Sequence, residues 1–182
     1  IKLVGQLLEG TVTSLEVFFL TLIMALPLGF VVALGRMSKI KVVRISVDTY
    51  IQIMRGTPLL LQLLFFYFAP FYIFGASLPR FASAILAFVL NYAAYFAEIY
   101  RSGLQALDRG QHEAAKALGM SYGQTMFKIV IPQSIRRLIP PVCNEFVMVI
   151  KDASLVFAIS LMDITTISKN IMTSEGSYLV FI

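Results

Sequence analysis

Gln111-His-Glu-Ala-Ala-Lys-Ala-Leu-Gly-Met-Ser-Tyr-Gly123, running on to Ile131-Pro132, is polar, mixed in charge and rich in small residues, with long apolar segments on either side. A water-facing insert of this length, held between membrane-length segments, contacts something outside the bilayer. The chain has 182 residues, 58% of them hydrophobic, and a mean hydropathy of +0.82. Soluble domains carry roughly 45–50% apolar residues. The excess here falls in blocks long enough to cross a bilayer, which takes about 20 residues per helix. Barrel strands would instead alternate over about 10 residues. The expectation is an all-α, polytopic transmembrane helical bundle forming one domain over residues 1–182, with the water-facing segment at 101–137.

Working outward in both directions gives five spans, the fifth cut short. The first covers Val12 to Leu34, the second Ile45 to Phe68, the third Phe81 to Tyr100 and the fourth Leu138 to Leu161, with Pro140-Pro141 expected to start it. A polar link from Met162 to Ser177 leads into Tyr178-Leu-Val-Phe-Ile182, the opening of the fifth. With no initiating Met and an apolar end, the chain is expected to continue beyond both termini. The first span is too long for a signal-peptide core and lacks a small-residue cleavage pattern.

Lys and Arg in short loops resist translocation and so report orientation. Arg36 to Arg44 holds four cations and no acid, and the insert holds six: Arg101, Arg109, Lys116, Lys128, Arg136 and Arg137. The opposite side holds three, Lys2, Arg80 and Lys169, which places the insert in the cytoplasm and the N-terminus outside. The net charge of +5 is therefore a matter of topology, since no basic stripe interleaved with base-reading elements is present. One cysteine, Cys143, and one histidine, His112, make neither an internal disulfide nor a metal site. No catalytic constellation is visible, so the chain is not read as an enzyme.

Charged groups at mid-bilayer cost about 2.5–3.5 kcal/mol on insertion scales and need partners or a wet cavity. Arg55, in Arg55-Gly-Thr-Pro58, lies about 15 Å into its span at 1.5 Å per residue. Pro58 lacks an N–H, so it frees the Met54 carbonyl and loosens the helix. Thr57 is expected to cap the half-helix that follows, whose exposed N–H groups suit a carboxylate. Either Arg55 serves that site, or it pairs with an acid in a kinked helix. Asn91, Tyr95 and Glu98 share one helical face, with Glu98 either lining a path or pairing with Arg101. Glu145 and Asp152 share another face beside Asn144, Met148 and Lys151; the two acids can hold an ammonium group or pair with Arg55 and Lys151. Candidate substrate-binding residues are thus Arg55, Thr57, Asn91, Glu98, Asn144, Glu145 and Asp152. In the insert, Ala114/Leu118 and Ala115/Gly119 are i, i+4 pairs, and Ala115 with Gly119 is expected to leave a surface almost free of side chains for helix-in-groove docking. A short amphipathic helix lying on the membrane is the other reading.

Glu113-Ala114-Ala115, then Gly119, Ile129 and Ile131-Pro132 resembles the EAA loop of bacterial ABC-importer permeases, with Ile131 replacing the usual Leu. Arg55-Gly-Thr-Pro-Leu-Leu-Leu-Gln62, Ala97-Glu-Ile-Tyr-Arg-Ser-Gly-Leu104, Gly110-Gln-His-Glu-Ala-Ala115 and Lys151-Asp-Ala-Ser-Leu155 resemble the polar amino-acid branch; Ala153 stands where that branch usually has Thr, so no hydroxyl is available there. The resemblance runs from about Thr11 to the end. It implies a type I importer permease in the bacterial inner membrane, coupled through Glu113, Ala114, Ala115, Leu118 and Gly119 to a cytoplasmic ATPase subunit. That subunit, not this chain, binds ATP and Mg. It also implies a second permease subunit, identical or related, and an extracytoplasmic solute-binding protein. Gly5-Gln-Leu-Leu-Glu-Gly10-Thr11 lacks the lysine of a phosphate loop and does not follow a strand. Paired acids at Glu145 and Asp152 would favour a cationic amino acid. An ion-coupled secondary amino-acid carrier is the alternative; it would use those acids as ion sites and need no ATPase.

Overall fold

The computed structural model describes residues 2–175. Among them are eight α-helices: α1 Lys2–Arg36, α2 Lys41–Gly56, α3 Leu59–Phe74, α4 Arg80–Gln105, α5 Arg109–Ala117, α6 Tyr122–Thr125, α7 Ile131–Asp152 and α8 Ile164–Glu175. A π turn, Met126–Val130, joins α6 directly to α7, and a 3-10 segment, Ala153–Ile159, follows α7. In the π turn the Ile131 N–H donates to the Met126 carbonyl, an i to i+5 bond. The fifth predicted span, Tyr178 to Ile182, lies outside the described residues.

Helix α4 is the axis of the bundle. Ala84, Ala87, Ala93, Ala94 and Ala97 along it are fully buried, as are Phe88 and Phe96. Lipid tails are as apolar as leucine, so helices in a bilayer associate through close packing rather than by escaping water, and small residues permit that packing. Gly29 shows how close α1 comes: a Cβ there would lie 2.7 Å from Phe96 Cβ and 3.0 Å from the Ala93 carbonyl oxygen. Helices α3 and α7 and the 3-10 segment complete the core through Leu59, Leu63, Val149, Ala153, Val156 and Ile159.

By length and composition, Leu7–Arg36 and Arg80–Gln105 can each cross a membrane, and the broken pair α2 and α3 makes a third candidate. Four boundaries differ from expectation. The second span is two helices bent by 108° at Gly56-Thr57-Pro58. Pro58 itself is the N-cap of α3 and Thr57 is not: the Thr57 hydroxyl donates back to the Ile53 carbonyl at 2.8 Å. Where the fourth span was expected, α7 starts at Ile131 and ends at Asp152, so Pro140-Pro141 lie inside this helix and do not open it. Helix α7 carries Arg136, Arg137, Glu145, Lys151 and Asp152, which keep it from qualifying as a span on hydropathy alone. The link from Met162 is also largely helical. The fully buried Asp163 accepts hydrogen bonds from the Thr165 and Thr166 N–H groups at 3.1 and 2.9 Å, capping the start of α8.

Candidate transport cavity and coupling segment

The bend in the second span sets out the site. Proline at 58 leaves the Met54 carbonyl without its helical donor. Two buried side-chain amides replace that donor: Gln62 Nε2 at 2.9 Å and Asn91 Nδ2 at 3.1 Å. Gln62 also donates to the Thr57 carbonyl at 3.1 Å and to Thr57 Oγ1 at 2.7 Å, while its Oε1 accepts from Asn91 at 3.0 Å. The break is therefore a built feature, held from both the following helix and α4.

On the other side of the break lies a cavity of about 470 Å³. Its wall includes Arg55, Thr57, Asn91, Tyr95, Glu145 and Asp152. Five of the seven substrate-binding candidates, Arg55, Thr57, Asn91, Glu145 and Asp152, thus converge although they come from three parts of the chain. Arg55 has no ion-pair partner among the described residues; its guanidinium stands 5.2 Å from the centre of the Tyr95 ring. Cation–π contact of this kind holds an arginine without neutralising it. Asp152 accepts from the Tyr92 hydroxyl at 2.7 Å, whereas no hydrogen bond or ion pair engages Glu145 among the described residues. The N-terminus of α3 also faces this space: Leu59 and Leu60 line it, and their N–H groups precede the first helical bonds, those from Leu61 and Gln62 to the Pro58 carbonyl.

Two candidates are elsewhere. Glu98 accepts from both Arg36 and Arg101, and Arg36 also pairs with Asp48 at 2.7 Å. Glu98 is thus an ion-pair centre tying α1, α2 and α4 together at the end of their packing, and not part of the cavity wall. Asn144 is exposed and does not line the cavity, because it lies next to Glu145 on the helix and so points about 100° away. Sequence reasoning missed Gln62 and Tyr92. For Gln62 the signal was present, a lone amide inside the apolar run Leu59 to Leu64. The side chain at Ala153 is buried, so a hydroxyl missing there is missing from the core and not from the cavity.

The segment expected to couple forms a short capped helix followed by a turn. Asp108 accepts from Gly110 N at 3.0 Å and caps α5. The helix ends in a Schellman arrangement, with Met120 N bonded to the Ala115 carbonyl and Gly119 N to that of Lys116, both at 3.0 Å. Gly119 occupies the left-handed position, φ +72°, with open space around its Cα. Ala115 corrects the expectation: it is 1% exposed, so it packs inward and does not form a docking surface with Gly119. Glu113, Ala114 and Gly119 are exposed, and Leu118, Tyr122 and Phe127 show about four-fifths, 77% and 75% of their surface. The last two were not anticipated.

A helical bundle with a broken span, a polar cavity at the break and an exposed helix between two of its long segments defines a membrane permease. Residues 25–182 match the family described as binding-protein-dependent transport system inner membrane component, and the chain belongs to it. It is 37% identical over 158 residues to the arginine transport system permease protein ArtQ of Bacillus subtilis, covering 87% of this chain and 72% of that one. It is 36% identical over the same length to a putative glutamine transport system permease protein GlnP of Rickettsia bellii, with the same two coverages. A solved structure described as an amino acid ABC transporter with histidines superposes with a TM-score of 0.91 at 36% identity, over 98% of this chain and 83% of that one. The chain is therefore a multi-pass inner-membrane permease component of the polar amino-acid ABC importers, and not a catalytic subunit.

Proposed function

We propose that this permease passes polar amino acids, with a preference for those bearing a cationic side chain, through a path that includes the cavity at the helix break. The carrying observation is the charge content of that cavity: one unpaired cation, Arg55, faces two carboxylates, Glu145 and Asp152. An α-amino acid brings one carboxylate and one ammonium group. Arg55 and the first N–H groups of α3 suit the carboxylate, and Glu145 suits the ammonium. Asp152, held by Tyr92, then remains for a positive side chain. The relative named for arginine transport supports the same class. Transport is driven by a cytoplasmic ATPase subunit that binds ATP with Mg and grips α5 at Glu113, Ala114, Leu118 and Gly119, with Tyr122 and Phe127 extending the contact. The insert is cytoplasmic and the N-terminus outside. A second permease subunit closes the path, and an extracytoplasmic binding protein delivers the solute.

The test is ATPase stimulation of the reconstituted full-length complex by a panel of amino acids. Arginine, lysine and histidine should stimulate more than glutamine, and glutamate least. Asp152→Asn should flatten that order, whereas Glu145→Gln should weaken stimulation by every amino acid. A wild-type complex that responds equally to glutamate and arginine, or an Asp152→Asn complex with the wild-type order, would overturn the assignment.

A further inference from the structure

A second cavity, of about 550 Å³, lies where the end of α1 meets the start of α2 and the end of α4. It shares no residue with the transport cavity and includes Arg36, Ser38, Arg44, Asp48, Arg101 and Gln105 in its wall. Its charges are not balanced. Arg36 and Arg101 are satisfied by Asp48 and Glu98. Arg44 has no carboxylate at ion-pair distance among the described residues, and neither do Lys41, which opens α2, and Lys39 in the loop before it; all three are exposed. The amide groups that open α2 add to this field. Ile40 stands at the N-cap and offers no side-chain acceptor, so the N–H groups of Lys41, Val42 and Val43 face outward unpaired by the helix. Beside the cations is an apolar shelf: Ile40, Val42 and Ile45 are 62%, 74% and 53% exposed. Helix α1 is long and apolar enough to cross a membrane and ends at Arg36, a position that puts cations and shelf at the edge of its apolar run.

We propose that this cavity holds the phosphodiester headgroup of an anionic phospholipid, with its acyl chains lying against Ile40, Val42 and Ile45. The two paired arginines preform the wall; Arg44, Lys41 and the α2 amides supply the net attraction. Free phosphate shares the headgroup chemistry but has no use for an apolar shelf, and the shelf is what favours a lipid. Basic pockets between membrane helices bind anionic headgroups in this way, each surface cation contributing about 1 kcal/mol, or roughly fivefold in affinity.

The experiment uses the full-length permease purified with its partner subunits and stripped of lipid. Dioleoyl phosphatidylglycerol or dioleoyl phosphatidylcholine is added back, and bound lipid is counted by native mass spectrometry. The wild type should retain phosphatidylglycerol in preference to phosphatidylcholine. Lys41→Gln with Arg44→Gln should weaken retention by about fivefold for each cation removed, and Arg44→Lys should leave it near wild type. Both side chains are exposed and make no ion pair among the described residues, and thermal unfolding of each variant checks that structure is kept. Millimolar inorganic phosphate should not displace the lipid. The proposal is overturned if phosphate does displace it, if phosphatidylcholine is retained equally, or if the double variant retains phosphatidylglycerol as the wild type does.

Discussion

Replacing Gln62 by Leu isolates the force that holds the broken span. The side chain makes four hydrogen bonds, and simple addition suggests a large loss. Its amide has only two protons for three acceptors, so those three bonds cannot all be at full strength. The Met54 carbonyl keeps its second donor, Asn91 at 3.1 Å. Thr57 is exposed, so water replaces its partners. The one group stranded inside is the Asn91 N–H that had pointed at Gln62 Oε1, and Asn91 is 4% exposed. A single buried orphan costs about 1–3 kcal/mol. For a chain of 182 residues that is a fall of roughly 2–12 °C in the unfolding midpoint. Asn91→Leu alone strands Gln62 Oε1, and the double variant strands only the Met54 carbonyl. The two losses should therefore be strongly sub-additive, with a coupling of about 1–3 kcal/mol in a double-mutant cycle. Thermal unfolding of the purified complex reads the cycle, and the KM for import reports whether Arg55 has moved. Strictly additive losses, or a Gln62→Leu protein with an unchanged midpoint, would refute the network as the cause of the bend.

Gly29→Val should lower the unfolding midpoint sharply, because overpacking at a helix contact costs about 1–3 kcal/mol and the Ala93 carbonyl at 3.0 Å from the new Cβ cannot swing aside; a normal midpoint would contradict the close α1–α4 crossing. Gly119→Leu meets no neighbour, only the left-handed backbone penalty of about 1–2 kcal/mol, so the spans should still fold while co-purification with the ATPase or coupling of hydrolysis to import is lost; normal transport would remove α5 from that role. Tyr92→Phe should release Asp152 and change the ranking of amino acids in the ATPase panel without loss of folded protein; an unchanged ranking would show that Asp152 does not face the solute.

The bundle was legible because membrane segments must be apolar over a fixed length, and the helix break because proline at 58 has no N–H to give Met54. The 108° angle was not legible. It depends on Gln62 and Asn91 meeting, and a contact 29 residues apart leaves no local pattern. For Glu98 two readings stood open, and pairing with Arg101 is the one seen, at both carboxylate oxygens; its further partner Arg36, 62 residues away, left no local pattern. A short helix ended by a turn at 109–119 was readable from its Ala and Gly spacing. Which way Ala115 points was not, because its burial is set by packing against other elements; separately, the left-handed turn takes Gly119 off the helix.

The π turn at Met126–Val130 has a consequence for how this chain is compared and altered. Such a turn holds one residue more than the α-helical count, and each residue advances an α-helix by about 100°. Deleting one residue there would allow an uninterrupted α rod from Tyr122 to Asp152, and would rotate the whole coupling segment by about that angle against Glu145 and Asp152. A single-residue deletion in this stretch should therefore be more disruptive than a substitution at an exposed position within it, such as Lys128. Two relatives that differ by one residue in this stretch are correctly superposed only when the gap is placed inside the turn.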